Sequence, residues 1–300
     1  MNYHHIYHAG NFADIFKHII LTLCLEKLHE KPNAFFALDT HAGIAKYDLA
    51  DEKSLKTSEA LEGIKKLLAE KKFYELLPER YLTILAKINH CDISELPQKI
   101  KYYAGSPLII RDYLRRDDKA IFAELNRDDF SLLKRNFAGS VKFSLLREDG
   151  FQLLKSKLPP LEKRGLIIID PAFEKDQSKI SADYEKVILG LKEAHKRFAH
   201  GIYLIWYPII KSDQEVLKKF QQEIFSLKFP KILQAVFDIG KFENAAENKS
   251  RPDNKEKMHS CGMFIINAPW QLDEKLNQIM PKILDVLKNG EDGFFEMKNA

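Results

Sequence analysis

The sequence predicts an α/β protein built on an open, largely parallel sheet into which a helical subdomain is inserted. Short β-like runs, each ending on a polar or acidic residue and mostly followed by a helical pattern, recur from Ala34 onward, which is the signature of strand–helix–strand units. Between the first run and the second, about Asp48 to Tyr102, charged helical periodicity persists without a convincing strand. A chain of 300 residues with 45% apolar content can bury a large core, as one domain with an insertion or as two modest domains.

Taken in order, His8-Ala9-Gly10-Asn11 reads as a loop, with Asn11 or Asp14 capping a helix that carries Lys17 and His18. The first strand is Ala34–Asp39. The insertion follows, with helices over Ala60–Glu70 and Glu79–Ile88. Its lysines at 65, 66, 71 and 72 form either a solvated face or a contact surface for nucleic acid. The next strands are Ala120–Glu124, Val141–Leu145, Gly165–Asp170 and Ile202–Trp206, and their carboxyl ends are expected to line one crevice, where such sheets bind ligands. Lys231–Ile239 and Cys261–Asn267 read as a terminal hairpin joined by a mobile polar loop over Lys241–Met258, so that an antiparallel strand finishes the sheet. The tail after Gly290 carries no clear signal.

Composition narrows the classes of function. A formal net charge of +4, from 47 basic and 43 acidic residues, permits nucleic acid only through a local basic surface. Cys24, Cys91 and Cys261 lie far apart with no CxxC spacing, and no charged-then-apolar leader opens the chain, which predicts a reducing, cytoplasmic setting. No apolar run reaches the roughly 20 residues that cross a bilayer, so no membrane partner is expected. His4, His5, His8 and His18 lack the neighbouring cysteines or carboxylates of a zinc site, so no metal is expected.

Asp39-Thr40-His41-Ala42-Gly43 ends the first strand, and Gly43 there lets backbone amides approach a ligand. Ala45 stands where a dinucleotide fingerprint wants a second glycine, which disfavours a pyrophosphate cradle. A nucleoside without phosphate fits better. Glu124 ends the next strand and could accept from both ribose hydroxyls; Asp149-Gly150 follows the one after, where the carboxylate could accept from an adenine amine. Each acid could equally be a solvated loop carboxylate.

Asp170-Pro171-Ala172-Phe173 emerges from the apolar run Gly165–Ile169 and is the most informative feature of the chain. An adenine amine is a poor nucleophile because its lone pair is delocalised into the ring, so acceptors that draw it toward tetrahedral geometry assist attack. The Asp170 carboxylate and the Pro171 carbonyl are two such acceptors, and Phe173 offers a face on which a flipped-out base can stack. An ordinary Asp-Pro turn over a core Phe is the plain alternative. Tyr203, Trp206 and Tyr207 beside Pro208 are read first as core, second as a strand-end support for the base.

With this tetrad the chain resembles the N6-adenine methyltransferases, commonly DPPY, and more closely the bacterial 23S rRNA (adenine(2030)-N6)-methyltransferase family. The resemblance runs from Tyr3 to about Trp270 through HAGNFADIFKH at 8–18, LDTHAG at 38–43, YYAGSPL at 102–108, Glu124, EDGF at 148–151, GLIIIDPAFE at 165–174, KRFAHGIYLIWYP at 196–208 and GMFIINAPW at 262–270. It implies a Rossmann-like class I methyltransferase sheet over 1–47 and 103–300, with the helical insertion at 48–102. It implies S-adenosyl-L-methionine as cofactor and 23S ribosomal RNA as substrate; because the target base must leave its stack to reach the strand mouth, RNA that is free or in early assembly is the expected form. Residue by residue, it implies that His18, His41, Ser106, Glu124, Asp149 and Gly150 bind the cofactor, with Lys17 beside it; Gly43 joins them by its place at the end of the first strand. It also implies that Asp170 is catalytic and that Tyr3 meets the RNA. Ala172 replaces the usual second proline and Phe173 the frequent tyrosine; loss of the proline loosens the loop. A DNA adenine methyltransferase and a catalytically silent RNA-binding or ribosome-assembly protein of the same fold are the alternatives.

Overall fold

The computed structural model describes residues 5–137, 142–173, 177–210, 214–241 and 258–299. Tyr3, His4 and most of the stretch read as a mobile loop, 242–257, lie outside the described residues. The centre of the fold is an eight-stranded sheet. The middle one of its five parallel strands is β1 (Phe36–Asp39). The chain continues through β2 (Lys46–Asp48) and β3 (Tyr102–Ala104), which pair only with each other. The remaining strands are β4 (Lys119–Ala123), β5 (Phe143–Leu146), β6 (Gly165–Ile169), β7 (Ile202–Pro208), β8 (Ile232–Asp238), β9 (Ser260–Ile266) and β10 (Phe294–Asn299). The spatial order is β10-β8-β9-β7-β6-β1-β4-β5.

β1 pairs parallel with β4 on one side, Leu38 opposite Ile121, and with β6 on the other, Leu38 opposite Ile167. The chain therefore builds outward from β1 in both directions, and the strand order reverses there, which opens a crevice beyond the carboxyl ends. β1 and β6 are buried along their whole length, as expected of strands covered on both faces. β9 enters antiparallel between β7 and β8, Phe264 opposite Ile205 and Met263 opposite Ala235. The predicted hairpin thus exists, and its second strand is the one that touches the parallel sheet. β10 adds a further antiparallel edge, Met297 opposite Ala235. Its segment, Phe-Phe-Glu-Met-Lys-Asn, stays largely exposed, with only Phe295 and Met297 half-buried on the core side, an alternation too short to mark a strand in the sequence.

Helix α1 (Phe12–His29) is buried almost all round, with Phe16 stacked on Phe237 of the sheet at 5.5 Å between ring centroids. The insertion leaves the sheet domain at β2 and returns at β3, Asp48 opposite Tyr102. It contains α2 (Glu52–Thr57), α3 (Lys66–Ala69), α4 (Glu79–Ile88) and α5 (Leu96–Lys99). Its buried side chains, among them Leu67, Tyr81 and Leu85, belong to the same apolar core as α1. The insertion is thus packed into the core rather than hung from the sheet. Lys71 and Lys72 are exposed, Lys65 and Lys66 half-buried. On the sheet domain α6 (Ser106–Tyr113), α7 (Arg127–Asn136), α8 (Gly150–Ser156), α9 (Gln177–Phe198), α10 (Gln214–Ser226) and α11 (Leu272–Leu287) complete the layers.

Contact between the insertion and the N-terminal loop is close at Gly63, whose backbone is not helical. A Cβ there would lie 2.1 Å from the Gly10 carbonyl oxygen and 2.9 Å from Asn11 Cα, while the next amide, Ile64 N–H, donates to that same carbonyl at 2.8 Å. Gly63→Ala must push the loop and the insertion apart, and is expected to cost about 1–3 kcal/mol of unfolding free energy, read from the urea midpoint. An unchanged midpoint would show that the loop moves without penalty.

Candidate active site

The carboxyl ends of β1, β4 and β6 open into one cavity. Its wall contains Lys17, His18, His41, Gly43, Ser106, Glu124, Asp149, Gly150, Asp170 and Pro171, so residues far apart in the chain that were singled out in the sequence stand together.

On the β4 side the Glu124 carboxylate accepts from Gly43 N–H at 3.0 Å and from Asn126 N–H at 2.7 Å. It ties the β1 loop to the start of α7, and burial raises its pKa. Gly43 has φ of 57°, and a Cβ on it would lie 2.3 Å from the Tyr47 hydroxyl. Gly150 is held just as closely: its Cβ would lie 2.0 Å from the Thr40 carbonyl oxygen. Asp149 caps α8 by accepting from Phe151 N–H at 2.8 Å, a structural duty that the sequence reading did not assign to it. The Thr40 hydroxyl donates to the Ile168 carbonyl at 2.9 Å and pairs with His41 Nδ1 at 2.8 Å. His41 also packs edge-on against Phe151, and burial pulls its pKa down to about 4, so the ring is neutral near pH 7.

On the β6 side the dominant feature is a buried charge cluster. Asn11 caps α1, accepting from Asp14 N–H at 2.9 Å, and this frees the Asp14 carboxylate for other partners. Asp14 accepts from Gly10 N–H at 3.0 Å, pairs with His5 Nε2 at 3.0 Å and with Lys17 Nζ at 3.0 Å. Lys17 Nζ in turn donates to Asp170 Oδ2. The side chains of Lys17 and Asp14 are only 5% and 2% exposed. Burial acts against both charges, but the ion pairs prevail: His5 and Lys17 hold the Asp14 carboxyl well below its usual range, and Asp14 and Asp170 hold the Lys17 ammonium well above its own.

Phe173 departs from expectation. Its φ is 41°, a left-handed turn that drives the ring inward, where it is 4% exposed and packs on Tyr184 at 4.9 Å and Trp206 at 5.9 Å. The stacking face expected of it is occupied, and the ring does not line the cavity. Tyr203 and Tyr207 are core residues, Tyr203 donating to the Phe198 carbonyl and Tyr207 accepting from Gln234, each at 2.7 Å. Leu125, Asn126, Asp129, Asp183 and Lys186, which the sequence did not single out, also line the cavity; of these only the Asn126 cap, before a charged helix, leaves a readable signal. Among the described residues no three His, Cys, Asp or Glu side chains are grouped to hold a metal ion, and no helix is long and apolar enough to cross a membrane.

The site fits a nucleoside carrying a charged amino-acid arm. Gly43 and Gly150 line the cavity, and Glu124 is an acceptor at the β4 end. Asp39, bonded to Ser106 of the cavity wall, keeps a buried Oδ2 that has no hydrogen-bond partner among the described residues, and burial pushes its pKa up to about 7. Such a group gains from a donor or cation brought beside it.

Residues 32–298 match the family model of ribosomal RNA large subunit methyltransferase D, RlmJ. The chain belongs to that family. A Haemophilus influenzae relative, ribosomal RNA large subunit methyltransferase J, is 38% identical over 96% of this chain and 94% of its own length. The Escherichia coli protein of the same name is 36% identical over 94% and 92%. A crystal structure of a Legionella pneumophila protein, 28% identical, superposes with a TM-score of 0.80 over 97% of this chain and 98% of its own. The cofactor of this RlmJ-family chain is S-adenosylmethionine.

Glu124→Ala removes a charged acceptor that also pins the Gly43 and Asn126 amides. Titration calorimetry with S-adenosylhomocysteine is expected to show a loss of roughly 1–3 kcal/mol in binding. Unchanged affinity in the folded variant would remove Glu124 from the cofactor site.

Proposed function

We propose that the protein methylates the exocyclic N6 amine of an adenine in 23S ribosomal RNA by means of Asp170 and Pro171, in the cytosol, on RNA that is free or in early assembly. The observation that carries this reading is the shared cavity of Glu124 and the Asp170–Pro171 pair, so that a nucleoside on the β4 side and an amine on the β6 side meet between them. Bound S-adenosylmethionine supplies an electrophilic methyl group on a sulfonium. His41, Glu124, Asp149 and Gly150 hold the adenosine portion; His18 and Ser106 hold the amino-acid arm.

Lys17 occupies one oxygen of the Asp170 carboxylate, leaving the other to accept a hydrogen bond from the target amine. The Pro171 carbonyl accepts the second. Two acceptors on one amine favour its pyramidal form and aim its lone pair, a contribution that grows toward the transition state. The target base must leave its stack to reach the strand mouth, which favours RNA not yet locked in a finished subunit. Phe173 serves as a platform for that base only after swinging out of its contact with Tyr184 and Trp206, and Tyr3 is the proposed N-terminal contact with RNA.

Asp170→Asn keeps the size of the side chain and an oxygen for Lys17 but weakens the acceptor. Single-turnover transfer to protein-free 23S RNA is expected to fall about a hundredfold or more, with cofactor affinity retained. A wild-type rate in the variant would refute Asp170 as the acceptor. No transfer even by the wild-type protein, with cofactor bound, would favour an RNA-binding assembly role instead.

A further inference from the structure

His18 does not stand alone in the cavity wall. Its Nδ1 lies 2.8 Å from the Tyr103 hydroxyl of β3, which lies 2.8 Å from the Tyr81 hydroxyl of α4. Tyr81 and Tyr103 are wholly buried and His18 is 1% exposed. The chain of three therefore runs from the cavity through the strand that closes the insertion and into the insertion itself. Among the described residues the Tyr81 hydroxyl has no hydrogen bond other than that to Tyr103.

Three proton arrangements are open to this chain. In two of them His18 Nδ1–H donates to Tyr103, and either the Tyr81 hydrogen, where Tyr103 donates to Tyr81, or the Tyr103 hydrogen, where Tyr81 donates to Tyr103, is left without an acceptor, which is a costly state for a buried donor. In the third, Tyr81 donates to Tyr103 and Tyr103 donates to His18 Nδ1. Every hydroxyl hydrogen is then used, and the imidazole carries its hydrogen on Nε2. Burial pulls the His18 pKa down to about 3, so the neutral ring is the species whose tautomer matters.

The Nε2–H form changes what the cavity can bind. His18 borders the cavity, and no protein partner is seen for Nε2 among the described residues. Close by is the start of α6, eight residues long, with Gly105 as N-cap and no side-chain cap; Ser106 at its first turn also lines the cavity. A helix start without a cap and an imidazole N–H together make a donor set for a carboxylate, beside a Ser106 hydroxyl that is already bonded to Asp39. The other tautomer would aim a lone pair at the same anion. We propose that Tyr81 and Tyr103 are positioning residues that hold His18 as its Nε2–H tautomer, so that the helical insertion sets the affinity of the site for the carboxylate of the cofactor's amino-acid arm. This rests on the reading that the cavity binds S-adenosylmethionine with Glu124 toward the ribose.

The decisive comparison uses two ligands that differ by the amino-acid arm: S-adenosylhomocysteine, which has the carboxylate, and 5′-methylthioadenosine, which lacks it. By calorimetry on the full chain, Tyr103→Phe is expected to weaken S-adenosylhomocysteine about tenfold and to leave methylthioadenosine within about twofold. Tyr81→Phe, a milder change, is expected to act in the same direction. Nitrogen-15 spectra of the histidine rings in the wild-type protein without ligand are expected to show His18 as the Nε2–H form, assigned by its loss in His18→Gln. An Nδ1–H form in the wild type overturns the proposal, as does an equal loss for both ligands or no loss for either. If Tyr103→Phe does not fold, Tyr81→Phe and the wild-type spectrum decide. Failure of wild-type protein to bind S-adenosylhomocysteine would instead defeat the underlying site reading, whatever the tautomer.

Discussion

A buried ammonium is the constraint on which the arrangement around the end of β6 depends. Lys17 has almost no access to water, and a lysine in that position survives as a cation only if anions are built around it. Asp14, one turn earlier on α1, and Asp170, at the end of β6, provide them. The pairing fixes the rotation of α1 about its axis and its height over the sheet. It also fixes the start of the Asp170–Phe173 turn. Asn11 makes this possible by taking over the cap of α1, so that Asp14 is spent on the lysine and on His5.

With α1 so fixed, His18 is the next residue along and faces the insertion rather than the sheet. Its bond to Tyr103 and the Tyr103–Tyr81 bond join the N-terminal helix to the strand pair β2–β3 and to α4. The insertion is thus coupled to the cavity by polar contacts and by the close fit at Gly63, in addition to its share of the apolar core. Opposite, the Glu124 carboxylate draws the β1 loop toward α7. The two halves of the cavity are held by different devices: ion pairs on the β6 side, a carboxylate bonded to backbone amides on the β4 side.

Much of this was readable before any coordinates. The sheet strands were legible because buried strands write continuous apolar runs, as in Gly165-Leu-Ile-Ile-Ile, and because their acidic ends stand out: Asp39, Glu124 and Asp170. β2 and β3 were not, since three residues are too few for a period to show, and β10 is an exposed edge whose partner lies far back in the chain. The residues of the cavity wall were named largely through family resemblance, which reports positions but not contacts. It could not report that Asp149 caps a helix, that Asp14 completes the lysine cluster, or that a positive φ turns Phe173 inward. Each of those depends on which element lies across the gap, a matter of tertiary placement that local pattern does not contain.

The central claim is that these strand ends form an adenine N6-methylating site. Its most direct test is to incubate the purified protein with methyl-labelled S-adenosylmethionine and unmodified 23S RNA, then to digest the RNA to nucleosides and identify the labelled one by mass spectrometry. The account predicts label in N6-methyladenosine. Label in any other nucleoside, or none from protein that binds the cofactor, would contradict it.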